Sequence, residues 1–332
     1  MAKLIIQIPC LNEAATLPAT VRDLPRKVTG IDVIEVLVID DGSRDNTAEV
    51  ARACGVNHVV RFRSHKGLAA AFVAGLDASV KRGADYIVNT DADNQYVGSE
   101  IPKLLAPLLR EEADIVIGDR SISMLQHMPR LKRWLQLVGS WVVRQVSNTQ
   151  VPDTTSGFRA YTREAALKQT IVSEFSYTLE SIIQAGKKRM AIAHVPIATN
   201  ESSRESRLFG NVFTYIKKSA ATILRIYTMY EPLKVFTIFG LISFVAGFAV
   251  SLRFLYYYVN GLGQGHLQSL ILSAVLMIVG FQVLLIGLMA DLISANRKLT
   301  EELLYRVRSI ELFSVPLENS TESHKQIGID ER

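Results

Sequence analysis

The 332 residues, 48% of them hydrophobic, suffice for a large buried core in one or two domains, and the apolar residues are unevenly spread along the chain. A net charge of +5 is too modest for a nucleic-acid binder, and its excess gathers at Arg130, Lys132, Arg133 and Arg144 and beside two long apolar runs, where anionic lipid is the better partner. Two cysteines, Cys10 and Cys54, exclude a disulfide framework and fit a reducing cytosol.

The apolar stretch at the N-terminus is interrupted by Pro9 and the Asn12-Glu13 pair, so it reads as a first strand rather than a secretory signal or a membrane span. Short β-branched runs then alternate with helical stretches. Strands are expected at Leu4–Ile8, Ile34–Ile39, His58–Arg61, Tyr86–Asn89 and Ile115–Ile117, with helices near Glu13–Leu24, Thr47–Ala53, Gly67–Lys81 and Ile101–Arg110. This is the pattern of an α/β domain with a mostly parallel sheet and helices on both faces. Ligands of such sheets bind beyond the carboxyl ends of the strands, which makes those segments the place to look for chemistry.

Each of them is polar. The first strand ends in Pro9-Cys10-Leu11-Asn12-Glu13, where Pro and Asn favour a turn and Glu13 opens the next helix, as a cap or as a ligand. The second runs into Asp40-Asp41-Gly42-Ser43-Arg44-Asp45-Asn46-Thr47, in which Gly42 allows a tight backbone and an Asp can accept hydrogen bonds from a base. After the third come Lys66 and Gly67, a cation and a helix N-terminus suited to phosphate. The fourth leads into Asp91-Ala92-Asp93-Asn94-Gln95. Two carboxylates one residue apart at a strand end can hold a hard divalent cation, and such a cation can neutralise a nucleotide diphosphate. A solvated turn explains an isolated Asp-x-Asp equally well, but capping alone does not explain four consecutive strand ends of this kind.

Beyond the α/β pattern, Leu131 to Arg144 mixes basic residues, Trp134, Trp141 and aliphatics, as an interfacial helix does, although a core helix has the same periodicity. Leu208 to Tyr230 sets Phe209, Val212, Phe213 and Ile216 beside Lys217 and Lys218, again as a helix on a membrane surface. Leu233 to Tyr258 and Leu267 to Ile293 each reach the roughly 20 residues needed to cross a bilayer. Lys and Arg flank this pair and are missing from the connection Asn260–His266, which places both termini in the cytoplasm. Gly240, Gly247, Ala246 and Ala249 offer small surfaces for packing with neighbours, so a homo-oligomer is possible. The polar tail after Phe313 reads as disordered.

Taken together, Ile8-Pro9-Cys10-Leu11-Asn12-Glu13, Asp40-Asp41-Gly42-Ser43, Lys66-Gly67, Asp91-Ala92-Asp93-Asn94-Gln95 and Asp153-Thr154-Thr155-Ser156-Gly157-Phe158-Arg159 resemble family 2 glycosyltransferases with the GT-A fold. The resemblance is strongest to the branch that makes polyprenyl-phosphate sugars, which includes bacterial polyprenyl-phosphate glucosyltransferases and dolichol-phosphate mannose synthase. It implies a Rossmann-like cytosolic domain over 1–207, an amphipathic juxtamembrane region over 208–232, a two-helix transmembrane hairpin over 233–293 and a polar cytoplasmic tail over 294–332. It also implies that Pro9, Leu11, Glu13, Asp41 and Lys66 surround the nucleotide, with Asp41 at the base edge. Leu11 departs from the aromatic residue common there. Asp91, Asp93 and Gln95 would hold Mg²⁺ or Mn²⁺ on the diphosphate, and Arg120, Arg204 and Arg207 would meet donor and acceptor phosphates. Asp153 would orient the acceptor, hold Arg159 or stabilise the Ser156-Gly157 turn.

The activity so implied is an inverting, metal-dependent hexosyl transfer, from UDP-glucose to a polyprenyl phosphate, on the cytoplasmic side of a bacterial inner membrane. GDP-mannose is the alternative donor. Two other readings are a processive polysaccharide synthase, for which two spans leave little room, and a membrane-anchored nucleotide-sugar-binding protein without catalysis.

Overall fold

A computed structural model of the chain describes residues 1–120, 130–172, 177–200, 212–261 and 267–314, with the side chains of 130–138, 212–216, 218, 219, 313 and 314 left aside. Among the described residues seven strands, β1 (Lys3–Cys10), β2 (Val33–Asp40), β3 (His58–Arg61), β4 (Tyr86–Asn89), β5 (Ile115–Asp119), β6 (Arg159–Thr162) and β7 (Ile192–Pro196), form one sheet in the order β3-β2-β1-β4-β6-β5-β7. The five expected strands are all present. β1, β2, β3 and β4 are parallel neighbours, β5 is parallel to β7, and β6 runs antiparallel between β4 and β5.

The strands alternate between two cores, as a pleated ribbon covered on both sides must. Ile5, Leu37, Ile39 and Ile87 face a cluster with Phe72 and Leu76 of α3 (Leu68–Lys81), while Leu4, Ile6, Ile8, Val38 and Val88 face Leu104 and Leu105 of α4 (Ile101–Leu109). On the α3 side lie also α5 (Arg130–Ser147), α6 (Arg163–Lys168) and α7 (Tyr177–Lys187), whose Tyr177 stacks on Phe72 with ring centroids 3.9 Å apart and planes at 10°. Each such buried aromatic contributes about 1.5–3 kcal/mol relative to exposure.

The first helix begins later than the sequence pattern predicts. α1 covers Leu17–Asp23, and Glu13 stands a full turn before it. The reason is local: Asn12 adopts a left-handed φ of 56°, and residues 12–14 bond to the β2 loop instead of starting a helix. α2 (Thr47–Ala53) follows that loop as expected.

After α8 (Val212–Tyr230), the chain enters α9 (Pro232–Val259) and α10 (Leu267–Ser314). Their most apolar windows have mean hydropathies of 2.3 and 2.6, and only 11% and 17% of those windows is buried, so they are helices long and apolar enough to cross a membrane and unlike the core helices of the α/β domain. α10 continues without a break past the expected end of the second span, through Ser314. The side chains of Val212, Phe213 and Ile216, and the tail beyond 314, lie outside the described residues.

Gly240 and Gly247, expected to serve contacts with neighbouring molecules, are instead consumed within the hairpin. A Cβ on Gly240 would sit 2.8 Å from Leu284 Cγ, one on Gly247 2.9 Å from Leu276 Cβ, and one on Gly280 2.6 Å from the Phe244 backbone nitrogen. Close approach also lets Ser243 Oγ donate to Leu276 O at 3.0 Å and Ser273 Oγ to Gly247 O at 2.8 Å. Gly280→Leu is therefore expected to force the two helices apart and lower the thermal midpoint in detergent, at a cost of about 1–3 kcal/mol. Gly139→Ala, at a helical site with nothing within 4 Å, is the control and should hold or raise the midpoint.

Candidate active site

Parallel strands deliver the ends of β1, β2 and β4 to one edge, and the loops there are stitched to each other. Ser43 Oγ accepts from Asn12 N–H at 2.9 Å, Thr47 Oγ1 from Glu13 N–H at 2.9 Å, and Asp45 Oδ2 from Ala14 N–H at 3.1 Å. In return Arg44 N–H donates to Asn12 Oδ1 at 2.8 Å. Asp40, fully buried, accepts from Ser43 N–H at 2.8 Å and has Arg61 Nε 3.1 Å away. The polar residues that mark these motifs in the sequence are thus partly spent on building the cradle.

Asp41, expected at the base edge, also has work within the loops. It accepts from the backbone N–H groups of Lys66 and Gly67 at 2.7 and 2.9 Å, and His65 Nδ1 lies 2.8 Å from the same group. Gly42 makes this possible: with φ at 69°, it lies so close to Ser64 and His65 that a Cβ would stand 2.5 Å from the Ser64 carbonyl carbon. Asp41 therefore fixes the loop carrying Lys66, whose ammonium rests 5.0 Å from the Phe62 ring centroid. Pro9 is buried in β1, and Leu11 is half-buried just beyond it.

The Asp91–Asp93 segment stands at the centre of this edge. Asp93 Oδ1 accepts from Gln95 N–H at 3.1 Å, and Gln95 O accepts from Asn200 N–H at 2.9 Å, which closes the turn. Asp91 is different. Among the described residues no hydrogen bond reaches its carboxylate; burial first, then the charge of Asp93 and of Glu13, push its carboxyl up to about 7 against the pull of Arg120 and Arg159. The crowding of negative charge is felt at Cys10 too, whose thiol is raised by burial and then by Glu13, Asp40, Asp45 and Asp91.

Gly157 supplies the space that Asp91 occupies. A Cβ there would stand 3.0 and 3.1 Å from the two carboxylate oxygens and 3.1 Å from Tyr177 Oη. The turn is held from beneath by a buried polar network that motif reading misses. Tyr96 Oη accepts from Gly157 N–H at 3.0 Å, Asn89 Nδ2 donates to Gly157 O at 2.8 Å and to Tyr177 Oη at 3.0 Å, and Gln7 Nε2 donates to Asn89 Oδ1 at 2.8 Å. Gln7 and Asn89 are the signals available in the sequence, as polar residues inside otherwise apolar strands.

The remaining candidates sort into two separate clusters. Arg120 grips Asp153 through both ends of its fork, Nε to Oδ2 at 2.7 Å and Nη2 to Oδ1 at 3.0 Å, and Nη2 also donates to Thr155 Oγ1 at 2.8 Å. Burial would raise the Asp153 carboxyl, but Arg120's charge and hydrogen bonds hold it below the usual range. Arg159 is not its partner. That guanidinium, wholly buried, donates to the carbonyls of Ser156, Thr178 and Thr154 at 2.7, 2.9 and 3.0 Å and to Ser181 Oγ at 2.6 Å, so it clamps the 154–156 segment onto α7. Arg204 and Arg207 lie outside the described residues.

A divalent cation fits the acidic centre on chemical grounds. Asp91 and Asp93 are hard oxygen donors, and among the described residues no hydrogen bond compensates the carboxylate of Asp91, so a cation would favour its ionised form. Among the described residues no third acidic, His or Cys group joins them, so the protein contributes a partial ligand set, as is usual where phosphate oxygens complete the shell.

The model of glycosyl transferase family 2 matches residues 5–169. A dolichyl-phosphate hexose transferase from Haloferax volcanii is 31% identical over 198 residues, covering 59% of this chain and 82% of that protein. An undecaprenyl-phosphate mannosyltransferase from Micrococcus luteus is 29% identical over 216 residues, covering 62% and 87%. Among solved structures, a glucosyl-3-phosphoglycerate synthase from Mycobacterium tuberculosis, in complex with Mn²⁺, UDP-glucose and phosphoglyceric acid, superposes with a TM-score of 0.55 at 22% identity, over 68% of this chain and 80% of that one. The chain belongs to glycosyl transferase family 2 and has a GT-A-like fold.

The raised Asp91 carboxyl gives a pH signature. In the unfolded chain an ordinary Asp ionises near pH 4, whereas in the fold it does so only near 7. The proton is therefore released more readily on unfolding, and stability falls between these values as pH rises. Asp91→Asn removes that penalty, so with chelator present its gain in thermal midpoint should be larger at pH 8 than at pH 5; equal gains would show that Asp91 carries no such strain.

Proposed function

We propose that the protein transfers a hexose, glucose from UDP-glucose, to a polyprenyl phosphate at a membrane surface. The observation that carries this reading is the coexistence of the Asp91–Asp93 centre and the Arg120–Asp153 pair at one sheet edge, in a chain with two helices of membrane-crossing length. The lipid-phosphate specificity named for the Haloferax and Micrococcus relatives supports the acceptor, and the Mn²⁺ and UDP-glucose named for the Mycobacterium structure support the donor and a metal.

A polyprenyl phosphate is already an anion at neutral pH, so its oxygen attacks the anomeric carbon without first losing a proton to a general base. As the new C–O bond forms, the bond to the nucleoside diphosphate breaks on the opposite side, and the anomeric configuration inverts. What the protein must provide is placement of two anions and stabilisation of the departing charge. Asp91 and Asp93, with Gln95 as a third oxygen donor, would hold Mg²⁺ or Mn²⁺, which when bound neutralises the diphosphate. Pro9, Leu11, Glu13 and the Asp41-anchored loop with Lys66 would enclose the nucleotide. Arg120, locked in orientation by Asp153, would face the acceptor phosphate, with Asp153 acting as a positioning residue. Arg204 and Arg207 keep the phosphate-binding roles that the family motif gives them.

The mannosyltransferase named for Micrococcus favours a second donor, GDP-mannose. Incubating the purified protein with undecaprenyl phosphate, Mg²⁺ or Mn²⁺, and each nucleotide sugar in turn, followed by mass spectrometry of the lipid, decides between them. Glycolipid formed with one donor and lost on chelation is the expected result; free nucleoside diphosphate without glycolipid would mean a different acceptor. Asp93→Asn should lower turnover about 100-fold or more, and Asp153→Asn, which frees Arg120, by roughly 100-fold. Unchanged turnover in either variant would remove that residue from the site.

A further inference from the structure

At 1.5 Å per residue the 48 residues of α10 extend about 72 Å, against about 30 Å of bilayer hydrocarbon. The first half carries the long apolar run. The second half turns one stripe, Arg297, Glu301, Tyr305, Arg308 and Leu312, at helical spacing, towards the α/β domain.

Every member of that stripe has a partner on the α/β domain or at the end of α8. Ser294 Oγ, just before it, donates to Met229 O at 3.0 Å. Arg297 stacks 4.5 Å from the Tyr230 ring centroid and meets Glu301 at 2.8 Å. Glu301, its side chain 9% exposed, also meets Lys188, just past α7, at 3.0 Å and accepts from Tyr230 Oη at 3.3 Å. Two turns later Arg308 donates to Leu167 O and Gln169 O at 3.4 and 3.2 Å, Lys168 lies 5.4 Å from the Tyr305 ring centroid, and Leu312 packs against the α3-side core. A separate clasp at the start of α9 joins Glu231 to Lys187 at 2.7 Å and to Lys234 at 2.6 Å.

The α/β domain is thus fastened near the apolar hairpin and again at Arg308 to Leu312, about 20 Å farther along a stiff helix. A single attachment would leave the domain free to swing. Two attachments so spaced fix its tilt. We propose that the distal half of α10 is a strut that sets the height and tilt of the site above the membrane, with Glu301 and Arg308 as its positioning residues. This rests on the lipid-phosphate reading above: an acceptor whose phosphate stays at headgroup level can be reached only from a fixed height, whereas a soluble acceptor reaches the site at any tilt.

The test compares full-length protein with the double variant Glu301→Gln, Arg308→Ala in lipid nanodiscs, with either undecaprenyl phosphate in the bilayer or water-soluble geranyl phosphate as acceptor. The expected result is a rise in KM for the bilayer acceptor of about tenfold or more, with geranyl phosphate turnover and donor affinity held within about twofold. Equal loss with both acceptors, which a damaged fold would give, or loss with neither, overturns the strut. If the unaltered protein glycosylates neither lipid, the lipid-phosphate reading fails separately, and amide exchange decides the strut. Protection over 297–312 and 163–169 that the double variant loses supports it, and free exchange of 297–312 in the unaltered protein overturns it.

Discussion

The architecture turns on one electrostatic constraint: a parallel sheet brings the ends of its strands to a single edge, and each carboxylate gathered there must find donors or remain uncompensated. Asp40, Asp41 and Asp45 find backbone amides and, by doing so, build the loops they belong to. Asp153 finds Arg120. Asp91 finds none among the described residues, and Gly157 leaves room for it. The edge is therefore tied together by its own carboxylates almost everywhere, and Asp91, buried beside Asp93, is the exception.

That contrast also explains what could and could not be read from the sequence. The five strands of the expected pattern follow from β-branched runs ended by polar punctuation, and the Asp91–Asp93 pair stands out for the same reason. The helix start at Leu17 did not, because Asn12 and Glu13 bond to Ser43 and Thr47, residues some thirty positions away. Nor did the backbone bonds of Asp41, or the partners of Arg159, which holds the carbonyls of Ser156, Thr178 and Thr154 where Asp153 was one expected partner, since a side chain's partner is fixed by the turn opposite it rather than by its own neighbours. β6 escaped because four residues between polar stretches carry little periodicity, and its place is set by the gap between β4 and β5.

The hairpin shows the complementary principle. In a hydrocarbon setting, contact between helices gains little from apolar burial, so small residues and serine hydroxyls do the joining. Gly240, Gly247 and Gly280 do so between α9 and α10. Their use inside the hairpin leaves Ala246 and Ala249 as small residues still exposed on α9, and α10 leads from that tight pair to Lys188, Leu167 and Gln169 of the α/β domain.

The antiparallel insertion of β6 bears on how the molecule is made. Asn89 and Arg159 are register partners across β4 and β6, yet seventy residues separate them in the chain. A ribosome delivers β1 to β5 first, and until β6 emerges β4 has an unpaired edge and Asp91 has no Gly157 turn beside it. The acidic centre is accordingly a late product of synthesis. A nascent chain can form the loops after β1 and β2 early, and completes the surroundings of Asp91 only once the segment carrying Gly157 and β6 has left the tunnel.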